Sequence, residues 1–184
     1  MSSREVLNSD DVDRTLRRMA HEIVEKNPDL SEVAVVGVHT RGVVLARRIH
    51  ALLIELTGVD VPLGEIDISF YRDDLQTRSA DRQPVVHATR LDFPLESRTI
   101  ILVDDVLFTG RTVRAGIDAL FDYGRPARIQ LAVLSDRGHR ELPIRPDYVG
   151  KNLPTSRHER VAVRLNESDG SESVSISSPV EVVE

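Results

Sequence analysis

Between Asp10 and Asn27 apolar residues recur at helical spacing, with Val12, Leu16, Met19, Ala20, Ile23 and Val24 on one side, until Pro28 ends the pattern. An amphipathic first helix is expected there. Val33 to Val38 is a short β-branched run, followed by a polar turn at His39, Thr40, Arg41 and Gly42 and by an apolar-periodic stretch from Val43 to Leu56. This reads strand, loop, helix. Glu65 to Tyr71 alternates Ile66, Ile68 and Phe70 with polar neighbours, whereas Arg72 to Gln83 is densely charged, has no apolar period and reads as a mobile excursion. Thr99 to Val103 is a continuous apolar strand, Thr112 to Tyr123 a helix ended by Gly124, and Ile129 to Leu134 another buried strand. Arg160 to Leu165 alternates as a further strand, and a last one is expected around Val174 to Ile176.

Strand and helix alternate through the centre with short connections, which predicts an α/β fold with a mostly parallel central sheet flanked by helices. Such sheets take ligands at the carboxyl ends of their strands. With 184 residues, 40% of them hydrophobic, one domain with a continuous core is expected over 1–184. There is no cysteine, so neither a disulfide framework nor a thiolate metal site is available, which fits a cytoplasmic location. The N-terminus is polar and charged, not basic then apolar, and no uninterrupted apolar stretch could span a bilayer, so no membrane partner is expected. The formal charge of -6 opposes indiscriminate binding to a polyanion and leaves only a local basic face for RNA.

The densest chemistry lies in IILVDDVLFTGRT, Ile100 to Thr112, where an apolar strand runs into Asp104 and Asp105 and then into a glycine-containing turn that opens a helix. A helix start exposes backbone N–H groups without intrahelical partners and carries partial positive charge. Thr109, Gly110, Arg111 and Thr112 can therefore cradle a phosphate through amides and the two hydroxyls, and the candidate phosphate-binding segment is taken to include Val106, Leu107 and Phe108 leading into them. Carboxylates accept hydrogen bonds and vicinal hydroxyls donate them, so an upstream carboxylate could grip a ribose diol whose phosphate sits in the turn. Alone, TGRT would read equally well as a capped, solvent-facing turn.

The whole string resembles the signature of the type I phosphoribosyltransferase family. An aromatic at Phe108, where many members carry a small residue, is similar to the branch that regulates pyrimidine operons by attenuation and has uracil phosphoribosyltransferase activity. Further blocks resemble that branch: VGVHTRGVVLARR at Val36 to Arg48, GEIDISFYRDDL at Gly64 to Leu75 and LSDRGHRELPIRPDYVGKNLPTS at Leu134 to Ser156. The resemblance implies a type I fold with a small hood and a flexible loop. It implies that Thr40, Arg41 and Gly42 form a pyrophosphate-binding loop, and that the segment from Arg72, a catalytic candidate with Asp104 and Asp105, closes over the reacting centre. Without the resemblance, Thr40 to Gly42 would read as an ordinary strand-to-helix turn. The implied reaction converts uracil and phosphoribosyl pyrophosphate (PRPP) to UMP and pyrophosphate, with Mg2+ held mainly by substrate oxygens and water and no dedicated protein cage. Uracil is expected near Phe108, Val133, Asp136 and Arg137.

On the first helix Arg14, Arg17, Arg18 and His21 fall three or four residues apart, opposite the apolar stripe. Charge alone favours a solvated face with local ion pairs. The resemblance instead implies an RNA-binding surface including Arg17, His21, Arg140, Arg145 and Lys151, with UMP or UTP promoting binding to the leader mRNA of pyrimidine genes. It also implies a homodimer or larger homo-oligomer. Two alternatives remain: a salvage enzyme without RNA function, and an RNA regulator whose catalysis is vestigial.

Overall fold

The structure is a computed structural model and describes residues 3–71 and 87–178. Its centre is a five-stranded parallel sheet of β2 (Val33–Val38), β3 (Leu63–Ile66), β4 (Thr99–Leu107), β5 (Arg128–Asp136) and β6 (Tyr148–Asn152). The spatial order is β3-β2-β4-β5-β6. Helices α1 (Ser9–Lys26) and α2 (Arg41–Thr57) cover one face, and α3 (Arg111–Phe121) covers the other. A smaller antiparallel sheet, β1 (Ser3–Leu7), β8 (Ser173–Ser177) and β7 (Arg160–Arg164), with the short α4 (Asn166–Asp169), forms the hood.

The patterns explain these layers. On α1 the periodic stripe Val12, Leu16, Met19, Ala20 and Ile23 is buried, and Asn8 starts the helix through a reciprocal capping box with Asp11. Because β4 is covered on both faces, its side chains divide between two cores. Ile101 and Val103 pack with α1 and α2, Ile100 and Leu102 with α3. The hood buries Leu7, Val163, Val174 and Ile176 in the core shared with α1 and α2.

Several boundaries differ from the expectation. The strand expected over Glu65 to Tyr71 ends at Ile66, because Asp67 Oδ1 accepts hydrogen bonds from the Ser69 backbone N–H and hydroxyl and turns the chain. Ile68 stays buried, but Phe70 is 79% exposed. Strand β4 continues past Val103 through both aspartates to Leu107, held by β5, whose Val133 and Ser135 pair with Asp104 and Val106. Strands β1 and β6 had no local signal: each is five residues long and mixed in character, and partners remote in sequence define them. Arg72 and the expected excursion to Gln83 lie outside the described residues.

Candidate active site

Chain direction locates the site. From β2 the α2 crossover leads to β3 on one side, while from β4 the α3 crossover leads to β5 on the other. Right-handed crossovers running in opposite directions put their helices on opposite faces. A crevice is thereby left between the carboxyl ends of β2 and β4, where ligands of such sheets bind. Its walls are His39 to Gly42 on the β2 side and Asp104 to Thr112 on the β4 side.

On the β4 side adjacent strand residues face opposite ways, and the two carboxylates differ: Asp104 is 6% exposed, Asp105 only partly buried. Asp104 Oδ1 accepts from the Asp105 N–H at 2.9 Å, and Asp105 Oδ1 accepts from the Val106 N–H at 2.8 Å. These local bonds fix both carboxylates at the strand end. The chain then turns through Phe108, Thr109 and Gly110, and α3 begins at Arg111. Gly110 caps the helix in a left-handed conformation (φ 93°), which favours glycine. Thr109 Oγ1 accepts from the Arg111 N–H at 3.3 Å.

The segment after β5 buttresses this turn. The Thr109 carbonyl accepts from the Glu141 and Leu142 N–H groups at 2.9 and 3.1 Å. Arg140 acts as a three-way clamp, donating to the carbonyls of Phe108 (2.8 Å) and Ile144 (3.0 Å) and to Asp136 Oδ2 (2.5 Å). Arg137 is 7% exposed. Its guanidinium lies 4.0 Å from the Phe108 ring centroid and donates to Thr155 Oγ1 and the Ser156 carbonyl, and burial lowers its pKa. His139 meets the same ring edge-on at 6.0 Å. The Phe108 ring is thus stacked on a desolvated cation, a contact stronger than at an exposed surface. Val133 lies in the core beside Asp104, so only Phe108, Asp136 and Arg137 of the expected base-binding group stand at the strand ends.

On the β2 side two glycines allow close packing. A Cβ on Gly42 would lie 2.5 Å from the Val103 carbonyl oxygen, and one on Gly37 would lie 2.5 Å from Val43 Cα. The first turn of α2 therefore rests directly on the end of β4. Arg41 reaches the hood, its Nη2 donating to Asp169 Oδ1 at 2.6 Å and its Nε to Asp169 Oδ2 at 3.1 Å. The pair holds the Asp169 carboxyl below the usual range. The ring of His39 stacks on that of His87 with centroids 4.5 Å apart and an interplanar angle of 3°. The buried Nε2 of His39 has no hydrogen-bond partner and lies 3.7 Å from Glu65 Oε2. Burial lowers the pKa of His39, Glu65 opposing. Asp67 also accepts from the His87 N–H.

The fold thus brings Thr40, Arg41 and Gly42 opposite Asp104, Asp105 and the turn from Val106 to Thr112. Among the basic residues, Arg17, His21, Arg145 and Lys151 are exposed. Helix α1 packs on β6, where Gly150 approaches Thr15 and Arg18 donates to the Val149 and Gly150 carbonyls, so Lys151 lies beside the basic face of α1. Arg17 pairs with Glu55 of α2 at 2.8 Å. Arg140 instead faces the turn after β4 with its side chain 23% exposed. Asp169 had escaped the sequence: it sits in an acid-rich stretch, and only the fold carries it to Arg41.

Residues 2–168 match the family described as the phosphoribosyl transferase domain. The chain is 58% identical over 174 residues to the Bifunctional protein PyrR of Deinococcus radiodurans, across 95% of this chain and 94% of that protein. It is 59% identical over 170 residues to the protein of the same name from Roseiflexus sp. (strain RS-1), across 92% of each. Among solved structures, the hypoxanthine phosphoribosyltransferase of Trypanosoma cruzi matches with a TM-score of 0.71 at 17% identity, over 96% of this chain and 97% of that one, a likeness of fold.

Proposed function

The chain belongs to the phosphoribosyl transferase domain family, and on that premise we propose that it is a uracil phosphoribosyltransferase that also regulates pyrimidine genes by binding their leader mRNA. The observation that carries the enzymatic reading is the β4 strand end, where Asp104 and Asp105 run without a break into a helix start at the switch point of the sheet. The turn from Val106 to Thr112 holds the 5-phosphate of PRPP by backbone N–H groups, and the carboxylates hold the ribose hydroxyls. Each charge-assisted hydrogen bond contributes about 1.5 to 3 kcal/mol. As pyrophosphate departs, positive charge grows on the sugar, and Asp104 and Asp105 stabilise it. Thr40, Arg41 and Gly42 receive the diphosphate; Phe108, braced by Arg137, offers a flat face to uracil, with Asp136 near its edge. Arg72, outside the described residues, belongs to the same reading as a catalytic candidate.

Among the described residues no three His, Asp or Glu side chains converge on a point where an ion could sit. A hard divalent cation takes oxygen ligands, so Mg2+ would be carried by diphosphate oxygens and water, with Asp104 and Asp105 the carboxylates at hand. Bound there, the ion neutralises charge on the leaving group.

For RNA, support comes from exposed Lys151 on β6, against which α1 packs, from exposed His21 and Arg17 on α1, and from exposed Arg145 in the segment entering β6. UMP or UTP at the nucleotide site favours the RNA-binding form, and RNA reciprocally favours nucleotide. The chain acts as one domain in a homodimer or larger oligomer, in the cytoplasm; among the described residues no helix is long and apolar enough to cross a membrane. The deciding experiment offers uracil, hypoxanthine and guanine with PRPP and Mg2+. UMP formation from uracil alone is expected, whereas turnover of purines in its place would refute the substrate.

A further inference from the structure

The acid-rich stretch at α4 carries no motif, yet the fold sets Asp169 against the guanidinium expected to meet pyrophosphate. Asp169 is held before it meets Arg41. Its Oδ2 accepts from the Leu165 N–H at 2.9 Å, and its own N–H donates to the Leu165 carbonyl at 2.7 Å. Arg41 is the first residue of α2, so its backbone rests on the end of β4. Two parallel hydrogen bonds between these fixed points set the plane of the guanidinium, which a single bond would leave free to turn. They engage Nε and Nη2 along one edge, and the Nη1 end of the five-donor fork is not part of that edge.

The pair is not what docks the hood. Two turns further along α2, Arg48 donates twice to Glu167 (2.9 and 2.7 Å) and twice to Glu172 (2.7 and 2.8 Å), whose side chain is 3% exposed. Together with the shared core of β7 and β8, this clamp secures α4 independently of Arg41. The consequence of Asp169 therefore falls on the guanidinium. Asp105, the other carboxylate acting on Arg41, lies on the β4 side and attracts it inward. Asp169 pulls from the hood and keeps the arginine across the mouth of the crevice.

We propose that Asp169 is a positioning residue for diphosphate binding, holding Arg41 by its Nε–Nη2 edge so that the rest of the guanidinium faces the pyrophosphate of the substrate. This deepens the transferase reading and rests on it. Asp169 touches no substrate and acts through Arg41, which gives it a signature in a double-mutant cycle.

The test uses the full chain, with magnesium pyrophosphate titrated calorimetrically and PRPP kinetics measured alongside. Asp169→Asn keeps an acceptor for the Leu165 N–H but loses the charge. It is expected to weaken pyrophosphate binding and raise KM for PRPP by about five- to tenfold, with kcat within about twofold. Asp169→Glu should restore most of the loss, and in an Arg41→Ala background Asp169→Asn should add nothing. Pyrophosphate binding by Asp169→Asn as tight as wild type would overturn the proposal, as would a full additional loss in the Arg41→Ala background. Should Asp169→Asn fail to fold, the Asp169→Glu and Arg41→Ala proteins carry the test, and equal losses in both would refute positioning. If wild type binds pyrophosphate yet makes no UMP, the substrate reading fails while this one stands; if it binds none, both fall.

Discussion

Replacing Gly42 by alanine tests whether the two walls of the crevice are held apart by a fixed backbone distance. The added Cβ would lie 2.5 Å from the Val103 carbonyl oxygen and 3.2 Å from Asp104 Cα. An ordinary carbon to carbonyl-oxygen contact is about 3.3 Å, so the start of α2 must retreat by about 0.8 Å. Both obstructing atoms are backbone, and no rotamer change can absorb the clash. Overpacking of this kind costs about 1 to 3 kcal/mol. Turnover should fall as well, because the same retreat carries Arg41 away from Asp104 and Asp105, and misplacement by about 1 Å can cost about 100-fold in rate, or about 2.7 kcal/mol. The assay is kcat/KM for PRPP in UMP formation, beside a urea titration. Leu53→Ala is the control: Leu53 is fully buried on the same helix away from the site. Its cavity should cost about 2 to 5 kcal/mol and leave turnover per folded molecule near wild type. Gly42→Ala protein with wild-type kcat/KM would refute the account of how the crevice is set.

Lys151→Gln should weaken binding to leader RNA in the presence of UMP and reduce the salt slope by about 1, leaving turnover intact; an unchanged slope in filter binding would put the RNA elsewhere. Arg140→Ala should behave in the opposite way, because it strips a donor from the Phe108 and Ile144 carbonyls and from Asp136. A cost of about 2 kcal/mol in kcat/KM is expected, and lost RNA affinity with normal turnover would return Arg140 to the RNA surface. For His39, the folded chain binds the proton less readily than the unfolded chain, whose histidines titrate near about 6.5. Its contribution to stability is present above that pH and lost as pH falls below it. Wild-type melting temperature should therefore drop on acidification from about pH 7.5 to 5.5 more steeply than that of His39→Phe, and parallel curves would refute the assignment.

The parallel sheet was legible because each of its central strands is an apolar run flanked by a helix with a clear period. Strand β2 and helix α1 fell within a residue or two of their expected bounds. What stayed hidden depends on partners remote in sequence. Strand β1 becomes a strand by pairing with β8, and β6 by adding to the edge of β5, and neither alternates strongly enough to announce itself. The end of β4 was misjudged for a related reason. Two adjacent aspartates look like the close of a strand by propensity, yet β5 pairs alongside them to the end, and tertiary pairing outweighs intrinsic preference.

The same division runs through the site. The strand end, turn and helix start from Asp104 to Thr112 can be read directly, since they are local events. Arginine is where the reading is weakest, because its charge is visible in the sequence but its partner is not. Arg17 and Arg140 look alike as basic residues, yet one pairs with Glu55 on an open helix face while the other is spent on two carbonyls and Asp136 beside the turn after β4. Arg41 looks like a bare phosphate ligand until the hood folds over and supplies Asp169. A guanidinium has five donors and no acceptor, so its function is decided by which carboxylates and carbonyls claim it first. Here the claimants are Glu55 of α2 for Arg17, Asp169 of the hood for Arg41, and Asp136 with the Phe108 and Ile144 carbonyls for Arg140, and the first two are brought in by long-range packing.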